Sequence, residues 1–147
     1  MDAYHALAAS YDRLTNDVDY KATVDFYMEI LRREGMMPRT CVDLACGTGS
    51  VTKLLAEKGY EVTGVDLSEE MLTEAFQKVQ DMENPPRFIC QNLRELYLPR
   101  GVDMAVCALD SLDYITDPGD CAEAIRRVYK ILNPGGIFIF DVNTPEK

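Results

Sequence analysis

Apolar positions recur along this chain in two alternating rhythms. Tyr4, Leu7, Ala8, Tyr11 and Leu14 fall at helical spacing, as do Val24, Tyr27, Ile30 and Leu31. Val51, Leu54 and Leu55 predict the inward face of a further helix, with Gly59 as its stop. Met71, Leu72, Ala75, Phe76 and Val79 form the next inward stripe. Asp117-Pro118 reads as N-cap followed by N1, opening a helix that buries Cys121, Ala124, Ile125, Val128 and Leu132. These Met and aromatic stripes read as core packing, not as cofactor contacts. Between the helices lie short apolar runs near 40–44, 61–65, 87–91, 103–108 and 136–141, each of strand length. Strands alternating with helices predict an α/β fold built on a parallel sheet.

The run Val42-Asp43-Leu44-Ala45-Cys46-Gly47-Thr48-Gly49 carries the first candidate chemistry. A buried strand breaks there into a glycine turn, and a helix opens near Ser50. Gly47 and Gly49 permit a tight bend and close approach of a ligand, and the helix offers free N–H groups to the same space. A dinucleotide fingerprint needs a third glycine where this chain has Thr52. A phosphate-binding P-loop needs a terminal Gly-Lys-Ser/Thr, and Lys53 is misplaced for it. Further on, Gly64-Val65-Asp66-Leu67-Ser68 puts a carboxylate at the tip of the second strand, where it can accept from both hydroxyls of a ribose. The competing reading is that Asp66 helps start the helix capped by Ser68, with Glu69 and Glu70 in its first turn.

The segment from Asp43 to Gly49 resembles the acidic-x-Gly-x-Gly-x-Gly loop of class I S-adenosylmethionine-dependent methyltransferases, with Ala45 in the first glycine's place. The methyl of Ala45 is expected to narrow the turn slightly without abolishing binding. Gln91-Asn92-Leu93-Arg94-Glu95-Leu96 resembles the family's adenine-contacting segment, with Asn92 replacing the usual Asp. Its carbonyl oxygen can still accept from an adenine amino group, though without charge assistance. Asp103 to Tyr114 resembles the fourth strand and functional loop, and Leu132 to Thr144 the Leu-Lys-Pro-Gly-Gly turn and fifth strand. The segments Tyr4–Asp12 and Asp17–Tyr20 are similar to the N-terminal arm of a bacterial small-molecule-type subfamily.

That resemblance implies a Rossmann-like, doubly wound sheet of order 3-2-1-4-5, the ligand lying beyond the strands' carboxyl ends where the order reverses. Residues 1–147 then form a single domain, an N-terminal helical arm (1–36) followed by the core (37–147). The cofactor would be S-adenosylmethionine, held by Asp43, Ala45, Cys46, Gly47, Thr48 and Gly49. Asp66 would take the ribose, Leu67 and Met71 the adenine slot, and Gln91, Asn92 and Leu93 its far side. Leu109 and Asp110 would approach from the loop after strand four, with Tyr11 covering the ligand from the arm. The family's sheet has seven strands and this sequence stops after the fifth, which predicts an exposed edge at Ile137-Phe138-Ile139-Phe140 and self-association through it.

Composition narrows the partners. Asp plus Glu number 25 against 15 for Lys plus Arg, giving a net charge of −10 that disfavours a nucleic-acid surface. The Asn84-Pro85-Pro86-Arg87 run precedes the third strand, so it is a connecting turn and not the motif of amino-methylating DNA enzymes. A small-molecule acceptor is therefore expected. No apolar run reaches membrane-spanning length and no export signal opens the chain, which predicts a cytoplasmic protein. The five cysteines, without a Cys-x-x-Cys pair, read as reduced thiols, and with a single His5 no metal site is expected.

Methyl transfer from a sulfonium is an in-line displacement that leaves a neutral thioether. Orientation of the two partners can contribute roughly 7–11 kcal/mol, and a protonated acceptor also needs a base. Asp110 and Tyr114, with Asp113 beside them, are the candidates; the plainer alternative is that Asp110 caps a turn and Tyr114 packs. A nicotinamide-dependent oxidoreductase and a non-catalytic binding module remain as competing readings.

Overall fold

A computed structural model describes residues 20–107 and 118–140. The predicted helix over Tyr4–Leu14, together with Tyr11, Leu109, Asp110, Asp113, Tyr114 and Asp117, lies outside the described residues. The elements are α1 (Tyr20–Glu34), β1 (Thr40–Leu44), α2 (Ser50–Glu57), β2 (Glu61–Asp66), α3 (Glu69–Val79), β3 (Arg87–Cys90), a 3-10 turn (Leu93–Glu95), β4 (Val102–Cys107), α4 (Pro118–Ile131) and β5 (Leu132–Phe140). The strands form one parallel sheet of order β3-β2-β1-β4-β5. The expected Rossmann-like topology is thus the observed one.

Side chains alternate across the sheet and build a core on each face. On one face, Cys41, Val62, Met104, Val106 and Ile139 pack against Val24, Tyr27 and Leu31 of α1 and Val51 and Leu55 of α2. On the other, Val42, Leu44, Val65, Ala105 and Cys107 meet Val128 and Ile131 of α4, with Leu96. The apolar stripes of α1 and α2 therefore have their predicted inward direction, with Ile30 and Leu54 only half-buried. In α4, Ala124 and Val128 are buried, Ile125 is half-buried, and Ile131, absent from the predicted stripe, is buried too; Leu132, expected in this helix, is half-buried at the start of β5.

Phe76 departs from expectation, being 60% exposed. The helical stripe of α3 is wider than the sheet beneath it. Edge strand β3 has only four residues, and Phe76 overhangs it beside Phe88 in an open groove completed by Leu72 and Thr73. Cys90 at the end of β3 is exposed as well, whereas Cys41 and Cys107 are buried; Cys41, Cys46, Cys90 and Cys107 are all free thiols.

Helix ends follow local chemistry. Past α2, the Tyr60 amide donates to Leu55 O at 3.3 Å and the Gly59 amide to Ala56 O at 3.0 Å, with Gly59 at φ 101°. This pair of bonds satisfies terminal carbonyls at a left-handed glycine. Ser68 caps α3, its Oγ accepting from the Met71 amide at 3.2 Å. Strand β5 starts earlier than the pattern suggests, at Leu132 opposite Val102. The register then jumps to Ile137 opposite Met104, so Asn133-Pro134-Gly135-Gly136 forms a bulge inside the strand instead of a turn before it.

At the amino end of the sheet one side chain joins three strands. Asp103 Oδ2 accepts from the Arg39 amide at 2.9 Å, and its Oδ1 accepts from Asn133 Nδ2 at 2.8 Å. The Asp103 amide in turn donates to Thr40 Oγ1 at 2.9 Å. These bonds hold the Asp103 carboxyl below the usual carboxylate range, the Asn133 amide contributing most.

Candidate functional site

The sheet's central strands end, at their carboxyl side, in the turn 45–49. Its shape comes from three alternate left-handed residues, separated by Cys46 and Thr48: Ala45 at φ 52°, Gly47 at φ 58° and Gly49 at φ 81°. Two are glycines, which adopt this conformation freely; Ala45 is the only non-glycine with positive φ among the described residues. The expected effect of its methyl was on the width of the turn, whereas its cost lies in the backbone. Gly49 meets a second constraint. A Cβ there would sit 2.8 Å from Ala75 Cβ and 3.3 Å from Ala75 Cα, so α3 can pass this close only because position 49 is bare.

Two hydrogen bonds stitch the turn to β2, and two more tie the end of β2 to what surrounds it. The Cys46 amide donates to Val65 O at 2.9 Å, and the Gly47 amide donates to Asp66 Oδ2 at 2.8 Å. Asp66 Oδ1 accepts from the Ser68 amide at 2.9 Å. The carboxylate thus prepares the start of α3, as the competing reading of the sequence has it, and it also holds the glycine turn. Each oxygen keeps a further lone-pair direction, because a carboxylate has about four acceptor positions. The last of these bonds ties the end of β2 to the residue after β3, where the Gln91 amide donates to Asp66 O at 3.0 Å.

Behind the turn, Asp43 is 2% exposed and accepts from the Thr52 hydroxyl at 2.6 Å. Burial pushes its carboxyl up to about 7; the Thr52 bond counteracts this and the nearby Asp66 charge adds to it. Burial likewise pushes the Cys46 thiol up, with Asp43 and Asp66 reinforcing the effect. Cys46 is therefore a neutral thiol in the turn, not a nucleophile. Thr52 entered the sequence argument only as a missing glycine; its role as the partner of Asp43 had no signal beyond the polar residue on an otherwise apolar helix face.

The remaining predicted contacts are spread around this centre. Leu67 is 60% exposed beside Asp66, while Met71 is 6% exposed and belongs to the first turn of α3. Gln91 commits its side chain to Tyr97, donating from Nε2 to Tyr97 O at 2.9 Å and accepting from the Tyr97 amide at 3.1 Å. Asn92 Oδ1 accepts from the Arg94 amide at 3.0 Å and so caps the 3-10 turn, and Leu93 packs against the core with Leu96. Thr48 is buried at 2%. The sequence reading also missed Lys78, whose Nζ donates to Thr48 Oγ1 and Ser50 Oγ, each at 3.1 Å.

The chemistry of this donor set suits a cationic nucleoside. The Asp66 carboxylate and the buried Asp43 carboxyl adjoin the turn, and among the described residues no ion pair involves either. Asp66 retains acceptor capacity for vicinal hydroxyls, an apolar side chain stands next to it, and the backbone approaches without side chains at Gly47 and Gly49. No group of three or more potential metal ligands occurs among the described residues.

Comparison with known proteins agrees with that geometry. The family profile described as "Methyltransferase domain" matches residues 41–136. The chain is 40% identical over 145 residues to the Bacillus subtilis (strain 168) protein named "Putative methyltransferase YqeM", covering 98% of this chain and 57% of that one. It is 30% identical over 144 residues to a demethylmenaquinone methyltransferase of Listeria welshimeri, covering 90% and 57% respectively. A crystal structure of an S-adenosylmethionine-dependent methyltransferase from Clostridium acetobutylicum ATCC 824 superposes with a TM-score of 0.85 at 39% identity, covering 97% of this chain and 58% of that one. The chain thus spans less than three fifths of the length of these relatives. With the sheet order, the glycine turn and the strand-tip carboxylate in agreement, the chain belongs to the class I S-adenosylmethionine-dependent methyltransferases.

Proposed function

We propose that this protein binds S-adenosylmethionine at the carboxyl end of its sheet and transfers the methyl group to a small-molecule acceptor. The observation that carries the reading is the Asp66 carboxylate, pinned between the Gly47 and Ser68 amides at 2.8 and 2.9 Å. It makes the glycine turn and the ribose acceptor one rigid unit. Asp66 takes the two ribose hydroxyls with its spare lone pairs, and Leu67 and Met71 border the adenine on one side. Gln91, Asn92 and Leu93 border it on the other, where Gln91 acts by fixing the backbone near Tyr97. Asp43, Ala45, Cys46, Gly47, Thr48 and Gly49 shape the space for the methionine portion, and Tyr11, Leu109 and Asp110 complete the enclosure.

When bound, the cofactor supplies an electrophilic methyl. The protein's part is to orient, to exclude water and, for a protonated acceptor, to remove a proton; Asp110 and Tyr114 are assigned that last task. A small-molecule acceptor is supported by the demethylmenaquinone methyltransferase among the relatives and by the net charge of −10. No helix among the described residues is long and apolar enough to cross a membrane. Four free thiols, two of them buried, favour the reducing cytoplasm. A homodimer through β5 is a further proposal, for which Phe140, 42% exposed with its ring tilted against Phe138 at 4.9 Å, offers an apolar contact; light scattering that finds only monomer at high concentration counts against it.

Calorimetry with S-adenosylhomocysteine and with NADH tests the main reading. Heat with the former alone is expected, and Asp66→Ala should weaken it at least tenfold, since two charge-assisted bonds are lost. Heat with NADH alone overturns the assignment. Labelled S-adenosylmethionine with candidate quinol, sugar and amine acceptors then separates a transferase from a protein that only binds.

A further inference from the structure

Lys78, in the last turn of α3, reaches across to the N-terminus of a neighbouring helix. The N-terminus of α2 carries the positive end of that helix's dipole, its first turn has no acidic residue, and its N-cap, Gly49, has no side chain with which to cap it. Yet Lys78 extends its ammonium to this end and donates to Thr48 Oγ1 and Ser50 Oγ, both at 3.1 Å. A lysine gives up considerable rotamer freedom to hold two partners. The two hydrogen bonds, strengthened by the charge, tie the ammonium to both residues.

The two hydroxyls flank Gly49, the residue whose missing side chain lets α3 approach. Ala75 and Lys78 are one helical turn apart and share a face of α3. Ala75 presses against Gly49 from below, and Lys78 grips the residues on either side of it. The same helix begins at Ser68, beside the carboxylate that accepts from the Gly47 amide. Helix α3 therefore secures the turn at Thr48, Gly49 and Ser50, next to Gly47, which the tip of β2 holds through Asp66.

We propose that Lys78 is a positioning residue for the cofactor: through Thr48 and Ser50 it sets the glycine turn in the shape that receives S-adenosylmethionine. This rests on the function proposed above. Lys78 touches the turn from the α3 side and acts through the two hydroxyls, so it is not a catalytic residue.

The test is calorimetry with S-adenosylhomocysteine on wild type, Lys78→Met, Lys78→Arg, Ser50→Ala and the Lys78→Met/Ser50→Ala pair. Loss of one charged donor predicts roughly tenfold weaker binding for Lys78→Met. Arginine should recover most of it, and Ser50→Ala should add little in the Lys78→Met background, because the two act through one bond. In ligand-free protein, amide exchange at 47–51 should be faster in Lys78→Met and near wild type in Lys78→Arg. If Lys78→Met binds like wild type, or if Lys78→Arg binds as weakly as Lys78→Met, the proposal is overturned while the cofactor assignment stands. Absence of heat with wild type sinks both.

Discussion

The Thr52 hydroxyl donates to Asp43 Oδ2 at 2.6 Å, linking the first turn of α2 to β1 just before the glycine turn. Both groups are almost fully enclosed, Thr52 at 0% and Asp43 at 2% exposure. The bond therefore closes the base of the turn in a region that water does not reach. Removing it leaves a carboxyl with nothing to replace the lost donor. Thr52→Val keeps the shape and deletes the hydroxyl, which should destabilise the protein by about 1.5–3 kcal/mol. Thr52→Ser keeps the hydroxyl and should cost about 1 kcal/mol or less, the worth of one methyl. Urea denaturation of both variants checks the order; equal losses would mean that packing, not the bond, matters.

Asp43 also predicts a pH dependence. Its folded-state value of about 7 lies above the ordinary 3.8, so the folded protein holds a proton that the unfolded chain has released across this interval. Its contribution is complete below pH 4, declines as pH rises towards 7 and is constant above that. The size is of the order of a few kcal/mol. Asp103 acts oppositely: its lowered value gives a contribution present above 3.8 and lost as pH falls further. Denaturation midpoints between pH 4.5 and 8 should thus fall with rising pH, and Asp43→Asn should flatten the slope while Asp103→Asn leaves it in place.

Ala45 occupies a left-handed conformation at φ 52°. For a residue with a Cβ this costs about 1–2 kcal/mol. Ala45→Gly should recover about 1 kcal/mol after the added flexibility of the unfolded chain is counted. A higher melting temperature in thermal denaturation is the expected result.

Gly49 is the reverse case. Gly49→Ala combines the left-handed penalty of about 1–2 kcal/mol with a contact 2.8 Å from Ala75 Cβ. Pairing it with Ala75→Gly should relieve the crowding and leave the conformational share. Thermal melts of the two single variants and the pair separate these contributions.

What could be read in the sequence was mostly local. Strand β1 has its predicted bounds, Thr40 to Leu44, because an apolar run met a glycine turn. The Ser68 cap could be read from a short polar residue followed by acidic ones. Phe76 was misplaced because helical spacing describes a stripe but not the width of the sheet under it. The early start of β5 was hidden by Pro134 and two glycines, which locally read as a turn and in the fold sit in a bulge. The Thr52–Asp43 and Lys78–Ser50 bonds join residues on different elements, so no window along the chain contains their cause. Asp66 falls between these cases: its place at a strand tip was visible, but its grip on the Gly47 amide needed the parallel alignment of β1 with β2.

Asp103 sits at the far end of the sheet from all of this, clasping the starts of β1 and β5 to β4. Those bonds do not reach the glycine bend, whereas Asp43, Thr52, Ala45 and Gly49 shape the bend and bear on stability as well. Softening the scaffold at Asp103 can therefore spare the bend, but reshaping the bend also moves the stability of the whole sheet.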